Sequence, residues 1–219
     1  MKKIMFNDRY GLEQAVIAGT KTMTRRRIHF PGIDGKDVSK PVMGIDEKGR
    51  VYFTFDARTS DVDIYPKYQI GERVAVAQSY ENIPMKHFTN GIDDPMKRLF
   101  QEKLVKQAAA YKNKLFAVAS LMPHVIRITN IKVERLQDIS EEDAMREGVF
   151  KYDKPPLHHE ADMFAPWAPY VRPYKWDANN LIYRCTARYA FAYLIDKISG
   201  GGTWNRNPWV FAYEFELIK

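Results

Sequence analysis

Trp209, Phe211, Tyr213, Phe215 and Leu217 alternate with other residues along the last stretch of the chain. Strand side chains point to opposite faces with a period of two, so this spacing predicts a strand with one aromatic face in a core. Val51-Tyr52-Phe53-Thr54-Phe55 alternates in the same way, and Gly71-Glu72-Arg73-Val74-Ala75-Val76 reads as a turn feeding a further strand. A longer strand is predicted from Val125 to Leu136, with Val125, Arg127, Thr129, Ile131 and Val133 on one face. Helices fall between these strands with no βαβ rhythm and no Gly-rich phosphate loop. The expected class is therefore α+β, a small and mostly antiparallel β-barrel decorated by helices.

The helices carry their own punctuation. Asn7 and Asp8 can cap a helix from Arg9 to Ala18, and Gly19 stands where a left-handed C-cap is expected. Thr20 to Ile28 is β-branched enough to leave that helix as a strand. Asp94-Pro95 supplies a cap and an N1 proline ahead of Met96, Leu99, Phe100, Leu104, Val105, Ala108 and Tyr111, a helical stripe expected to pack on the body of the protein. Ser140 caps a short helix that ends at Gly148, with Glu141, Glu142 and Asp143 at its positive end. Asn179 is expected to cap the last helix, which Gly200-Gly201-Gly202 stops, and Cys185 is expected in its apolar face. A single domain over residues 1–219 is expected, with a helical insertion at about 84–116 and a long loop at about 151–178 rich in proline and aromatic residues.

Composition narrows the function classes. With 45% hydrophobic and 13% aromatic residues in 219, the chain has enough apolar surface for a core, which excludes a disordered protein. One cysteine excludes an intramolecular disulfide and a multi-cysteine zinc finger. No apolar run approaches the roughly 20 residues of a membrane span, so a cytoplasmic protein with no membrane partner is expected. The net charge is +7, and residues 1–50 hold eleven basic side chains against six acidic ones. Such a concentration of cations suits a polyanionic partner, and nucleic acid is the usual one.

That basic region contains the most informative motif, Gly19-Thr20-Lys21-Thr22-Met23-Thr24-Arg25-Arg26. On an extended Thr20–Ile28 segment, Thr22, Thr24 and Arg26 share one face, so Arg26 is expected to line a cleft while Arg25 and Arg27 point to solvent. Three more blocks follow in order: Gly71 to Val76; Val133-Glu134-Arg135-Leu136-Gln137-Asp138-Ile139-Ser140-Glu141 through Glu147-Gly148; and Asn207-Pro208-Trp209-Val210-Phe211 ahead of Glu214-Phe215.

The four blocks together resemble the ASCH family (activating-signal-cointegrator homology), in a branch borne by phages and bacteria. The resemblance spans both ends of the chain and omits the helical insertion and the 151–178 loop. It implies a PUA-like barrel with a cleft for RNA, a nucleotide or a nucleoside. Some small relatives hydrolyse the amide of N(4)-acetylcytidine with a Lys and a Thr of the first motif and a Glu on a later helix. Others are suspected RNA binders without catalysis, and a ribonuclease activity has been attributed to the family. Carried over, the catalytic residues would be Lys21, Thr24 and Glu147, with Gly19, Arg26 and Gln78 binding the ligand and no cofactor or metal implied.

Chemistry is compatible with those roles. A threonine hydroxyl needs a base to take its proton, and a lysine desolvated in a cleft can serve. Glu147 falls in the last turn of its predicted helix, where the negative dipole end disfavours a carboxylate by roughly 0.3–1 kcal/mol; it is expected to be protonated and to donate to a leaving amine. Gln78 stands where the branch usually has an acidic residue, and an amide there cannot act as a base. Phe164, Trp167, Tyr170, Tyr174 and Trp176, with Arg172 and Lys175, are expected to pack the long loop onto the barrel, with base stacking as the alternative. His158-His159-Glu160 with Asp162 is a poor metal set, because adjacent side chains diverge.

Overall fold

The computed structural model describes residues 1–30, 38–39, 41–56, 61–151, 167–169 and 186–218. The elements, in chain order, are β1 (Lys2–Ile4), α1 (Leu12–Ile17), β2 (Met23–Arg27), β3 (Val42–Ile45), β4 (Val51–Phe55), β5 (Val62–Ile64) and β6 (Arg73–Val76). There follow α2 (Lys86–Thr89), α3 (Pro95–Gln107), β7 (Val125–Arg135), α4 (Glu141–Arg146), β8 (Val149–Lys151) and β9 (Trp167–Pro169). The chain continues through α5 (Ala187–Ser199) and α6 (Thr203–Arg206) to β10 (Trp209–Leu217).

The fold is α+β. Five strands form a mixed sheet in the order β1-β6-β7-β10-β2, in which only β1 and β6 run parallel. A second, antiparallel sheet is β3-β4-β5, and β8 pairs with β9. The sheets do not close on themselves, so the expected barrel is replaced by open sheets sharing a core. Phe53 and Phe55 of β4 stack on Phe211 and Trp209 of β10, which joins the two sheets through aromatic side chains. Trp209, Phe211, Tyr213 and Phe215 are all buried, as their alternation predicts.

Two expectations about sequence phase fail for identifiable reasons. In β7 the buried residues are Val125, Ile126, Ile128 and Ile131, whereas Arg127 and Thr129 are exposed. The register against β10 steps from Glu214↔Asn130 to Phe215↔Ile128, leaving Thr129 unpaired. This bulge puts Ile126 and Ile128 on the core face in place of Arg127 and Thr129, because one extra residue flips a period-two pattern, while Val125 at the start of the strand is buried as well. The second failure is α3. Asp94 caps it, accepting from the amides of Met96 and Lys97, yet Met96, Leu99 and Phe100 are each more than 60% exposed and only Val105 is buried. The apolar stripe of α3 thus faces outward. Val105 joins a small separate core with Tyr80, Ile83, Ala110, Ala117 and Met122.

Helix α5 starts at Ala187, where Thr186 accepts from the amide of Tyr189, rather than after Asn179. Residues 170–185, and with them Cys185, Tyr170, Arg172, Tyr174, Lys175, Trp176 and Asn179, lie outside the described residues, as do His158, His159, Glu160, Asp162 and Phe164. Among the described residues no helix is long and apolar enough to cross a membrane.

Candidate functional site

Gly19 ends α1 with φ +72°, the left-handed conformation that glycine adopts without a Cβ penalty. The amides of Thr20 and Lys21 both return to the carbonyl of Ala15, which turns the chain sharply into β2. Gly19 itself is exposed and shapes that turn; it does not line the cavity described below. The turn sends Lys21 inward, where it is 2% exposed.

Lys21 meets the end of α4. Its Nζ donates to the Glu147 carbonyl at 2.6 Å and to Glu147 Oε2 at 2.7 Å. Gly148, with φ +96°, lets the chain pass directly over this lysine; a Cβ there would stand 3.1 Å from Leu12 Cδ2 and 3.5 Å from Lys21 Cδ. The carboxylate of Glu147 also accepts from Arg25 Nη1 at 3.1 Å. Arg25 in turn donates Nη2 to Asp143 Oδ2 at 3.0 Å and Nε to Glu134 Oε1 at 2.7 Å. Helix α4 is pinned from a further direction by Arg146, which donates to Thr22 Oγ1 at 3.2 Å and to Glu214 Oε2 at 2.9 Å. Burial pushes Glu214 up, but its hydrogen bonds from Arg146 and Lys132 hold it down at about 2.

The expectation for Arg25 is therefore overturned. Arg25, expected in solvent, is buried, and Arg26 and Arg27 are exposed. The reason lies in topology. Strand β2 is the last of its sheet, so side chains from both of its faces reach one cavity around its free edge. Arg26 does line that cavity; its Nη2 donates to the Met5 carbonyl at 2.7 Å and its guanidinium lies over the Phe6 ring.

The cavity has a volume of about 390 Å³. Lys21, Thr24 and Glu147 all line it; Lys21 and Glu147 are in direct contact, whereas Thr24 shares the cavity without a hydrogen bond to either. Phe6, Phe191 and Leu194 give it apolar walls. Thr24 is 5% exposed, and its hydroxyl has no hydrogen-bond partner among the described residues. Gln78 is elsewhere. It is buried with its Oε1 2.7 Å from His124 Nδ1 and its Nε2 3.4 Å from Glu13 Oε1, so it does not share the Lys21 cavity.

Electrostatics corrects the expectation for Glu147. Burial raises its proton affinity, but the charges and hydrogen bonds of Lys21 and Arg25 outweigh burial and hold it below the usual carboxylate range. Glu147 is an ionised acceptor, and the weak helix-dipole effect is overridden by two cations in contact. Lys21 moves down from the ordinary lysine value chiefly because it is fully desolvated, with Arg26 and Arg25 adding to that and Glu147 opposing it. Arg25 moves up: burial disfavours its charge, but Glu147, Glu134 and Asp143 more than compensate. The guanidinium thus keeps its proton and neutralises Glu147, which leaves Lys21 as the group able to give one up.

Sequence reasoning missed Arg25, Glu134 and Asp143. Asp143 and Glu147 are four apart, which puts both carboxylates on one face of a helical turn. That spacing was the available signal that one partner would hold both. Among the described residues no group of three or more His, Cys, Asp and Glu side chains is placed to hold a metal ion. Compared with family models, curated proteins and solved structures, the chain matches none.

Proposed function

We propose that this chain is an ASCH-like amidohydrolase that removes the acyl group from the exocyclic amine of a modified cytosine, of the N(4)-acetylcytidine kind. One observation carries the reading: a fully desolvated lysine with a lowered proton affinity opens into the same cavity as a threonine hydroxyl without a partner among the described residues, with an ionised glutamate 2.7 Å from the lysine. A buried lysine is costly, and strongly shifted groups in a cleft mark functional sites more often than chance would place them there.

The residues divide the chemistry as follows. The neutral amine of Lys21 takes the proton of Thr24 as Oγ1 adds to the acyl carbonyl carbon. Glu147 stabilises the ammonium that forms. The C–N bond then breaks, and the leaving amine takes the proton from Lys21, which leaves an acyl ester on Thr24 and a free cytosine amine. A water molecule, giving its proton to Lys21, adds to that ester; Thr24 leaves, recovers the proton, and the carboxylic acid is released. Arg25 never transfers a proton in this scheme; it holds Glu147 in place and ionised.

The alternative is a binding module without catalysis, favoured by the three carboxylates that Arg25 gathers, an arrangement that would dock α4 on β2 even in a purely structural role. Incubation with N(4)-acetylcytidine, with cytidine and acetate separated by chromatography, distinguishes the two. Lys21→Met and Thr24→Val are expected to lower turnover by roughly 10²–10⁴-fold while thermal melting shows them folded. Wild-type binding without product supports the module. Equal turnover by wild type and Lys21→Met overturns the catalytic assignment.

A further inference from the structure

The 390 Å³ cavity does not end at the catalytic triplet. A second cavity of about 250 Å³ adjoins it, and the two share Arg25, Arg27, Ile195 and Ser199 in their walls. The second is otherwise apolar for the most part, with Leu136, Pro208 and Val210. Arg27 thus stands at the junction. It is exposed, and its guanidinium has no hydrogen-bond or carboxylate partner among the described residues. Arg25, by contrast, spends its donors on three carboxylates.

Charge along this groove has one sign. Lys21, Arg25, Arg26 and Arg27 line the first cavity against a single carboxylate, Glu147; the second holds Arg25 and Arg27 and no carboxylate. Glu134 and Asp143 bind Arg25 outside both cavities. The carboxyl end of α5 reaches the shared wall at Ser199, where the helix dipole disfavours an anion, so an anion there depends on the arginines. A free nucleoside offers Arg27 only neutral acceptors and no anion. A phosphate does, because the guanidinium fork matches its oxygens.

We propose that the groove takes a cytosine nucleotide linked through a phosphodiester to a neighbour: the modified base and ribose in the first cavity, the phosphate on Arg27, and the neighbouring nucleoside on the apolar surface of Leu136, Pro208 and Val210. This rests on the cytosine reading above and names its substrate as an oligonucleotide rather than a nucleoside. Arg27 is then a specificity residue that makes no contact with the reacting amide.

The test is equilibrium binding, by calorimetry at low and moderate salt, of cytidine, its 3′- and 5′-monophosphates, and the dinucleotides cytidylyl-uridine and uridylyl-cytidine. Wild type is compared with Arg27→Gln and with Ser199→Glu, which sets a negative charge on the shared wall. Affinity is expected to rise about tenfold from cytidine to one monophosphate and again to the matching dinucleotide, and to fall with salt. Arg27→Gln is expected to flatten that ladder to within about twofold of cytidine; Ser199→Glu, beside the same phosphate position, weakens the matching monophosphate and the dinucleotide more than it weakens cytidine. A dinucleotide bound no better than the monophosphate overturns the proposed second subsite. Equal affinity for all probes, or a ladder that survives Arg27→Gln, overturns the whole proposal. Hydrolysis of N(4)-acetylated versions is measured in parallel. No turnover with an intact ladder defeats the hydrolase reading alone, and turnover of the nucleoside with a flat ladder defeats this inference alone. Binding of no probe overturns both.

Discussion

Lys21 and Lys114 are both drawn out of water beside carboxylates, and α1 contributes to each surrounding: Leu12 lines the cavity of Lys21, and Glu13 binds Lys114. Around Lys21, two cations share Glu147, and Arg25 draws on Glu134 and Asp143 as well. Around Lys114 the ratio is inverted. One ammonium, reaching back from the helical insertion, serves Asp8, Glu13 Oε2 at 2.8 Å and the carbonyl of Phe6. The number of cations touching each buried carboxylate helps decide which group holds the uncertain proton. Glu147, touched by two cations, is driven down, and Lys21, lowered chiefly by its own desolvation, is the more ready to deprotonate. Where carboxylates are in excess, burial first and then Asp8 push Glu13 up to about 7 despite Lys114. Two lysine–glutamate clusters thus differ in chemical character through burial and through the number of cations that touch the buried glutamate.

Removing Glu147 is the severest way to break this comparison. Glu147→Ala leaves Lys21 and Arg25 buried without their shared carboxylate, and breaking such a pair costs about 3–5 kcal/mol. Urea unfolding monitored by circular dichroism is the measurement. A loss below about 1 kcal/mol would mean that water reaches the cluster and that its apparent isolation has no energetic weight.

The two clusters should also carry opposite pH signatures. Glu147 has a folded value below its ordinary 4.5, so its stabilisation is present above that value and lost as pH falls through it. Glu13 has a folded value of about 7 against the same 4.5, so the folded state binds its proton more tightly. Stability from Glu13 is complete below about 4.5 and declines as pH rises to 7, by about 3 kcal/mol in all. Glu13→Gln should therefore gain on wild type between pH 5 and 7.5 in a series of thermal melts. A difference that stays constant with pH, or that shrinks as pH rises, contradicts the inverted ratio.

How much of this was legible beforehand depends on whether neighbours in sequence or neighbours in space set the outcome. The alternation of Trp209 to Phe215 and the caps at Ser140 and Asp94 are local, and they hold. Lys21, Thr24 and Glu147 were found through their place in four ordered blocks and do share one cavity. The role of Arg25 was not legible, because β2 gives no sign in its own residues that it ends a sheet and that both its faces meet one cavity. The unpaired Thr129 is equally silent, since no glycine or proline marks it. Lys114 reads as an ordinary insertion lysine until the fold brings it to Asp8 and Glu13, over a hundred residues away.

Lys114→Met sharpens the comparison most finely, because its effect should be small and conditional. The variant keeps the apolar stem and removes the ammonium that, among the described residues, alone binds Asp8 and Glu13. Asp8 is 46% exposed at its side chain and can turn to water, whereas Glu13, at 2%, cannot. Glu13 can instead take up a proton, and at pH 5.5 its folded-state value of about 7 means that it already holds one. The loss should therefore be about 1–2 kcal/mol at pH 8, where a buried carboxylate is stripped of its partner, and a fraction of that at pH 5.5. The same lysine binds the Phe6 carbonyl, and Phe6 walls the Lys21 cavity and lies under Lys21 and Arg26. A variant that loosens this wall would raise KM before it lowered kcat, since Lys114 touches neither the reacting groups nor the cavity itself. Equal losses at the two pH values would show that the ammonium acts on the fold through its reach to the Phe6 carbonyl, and that the protonation of Glu13 is incidental.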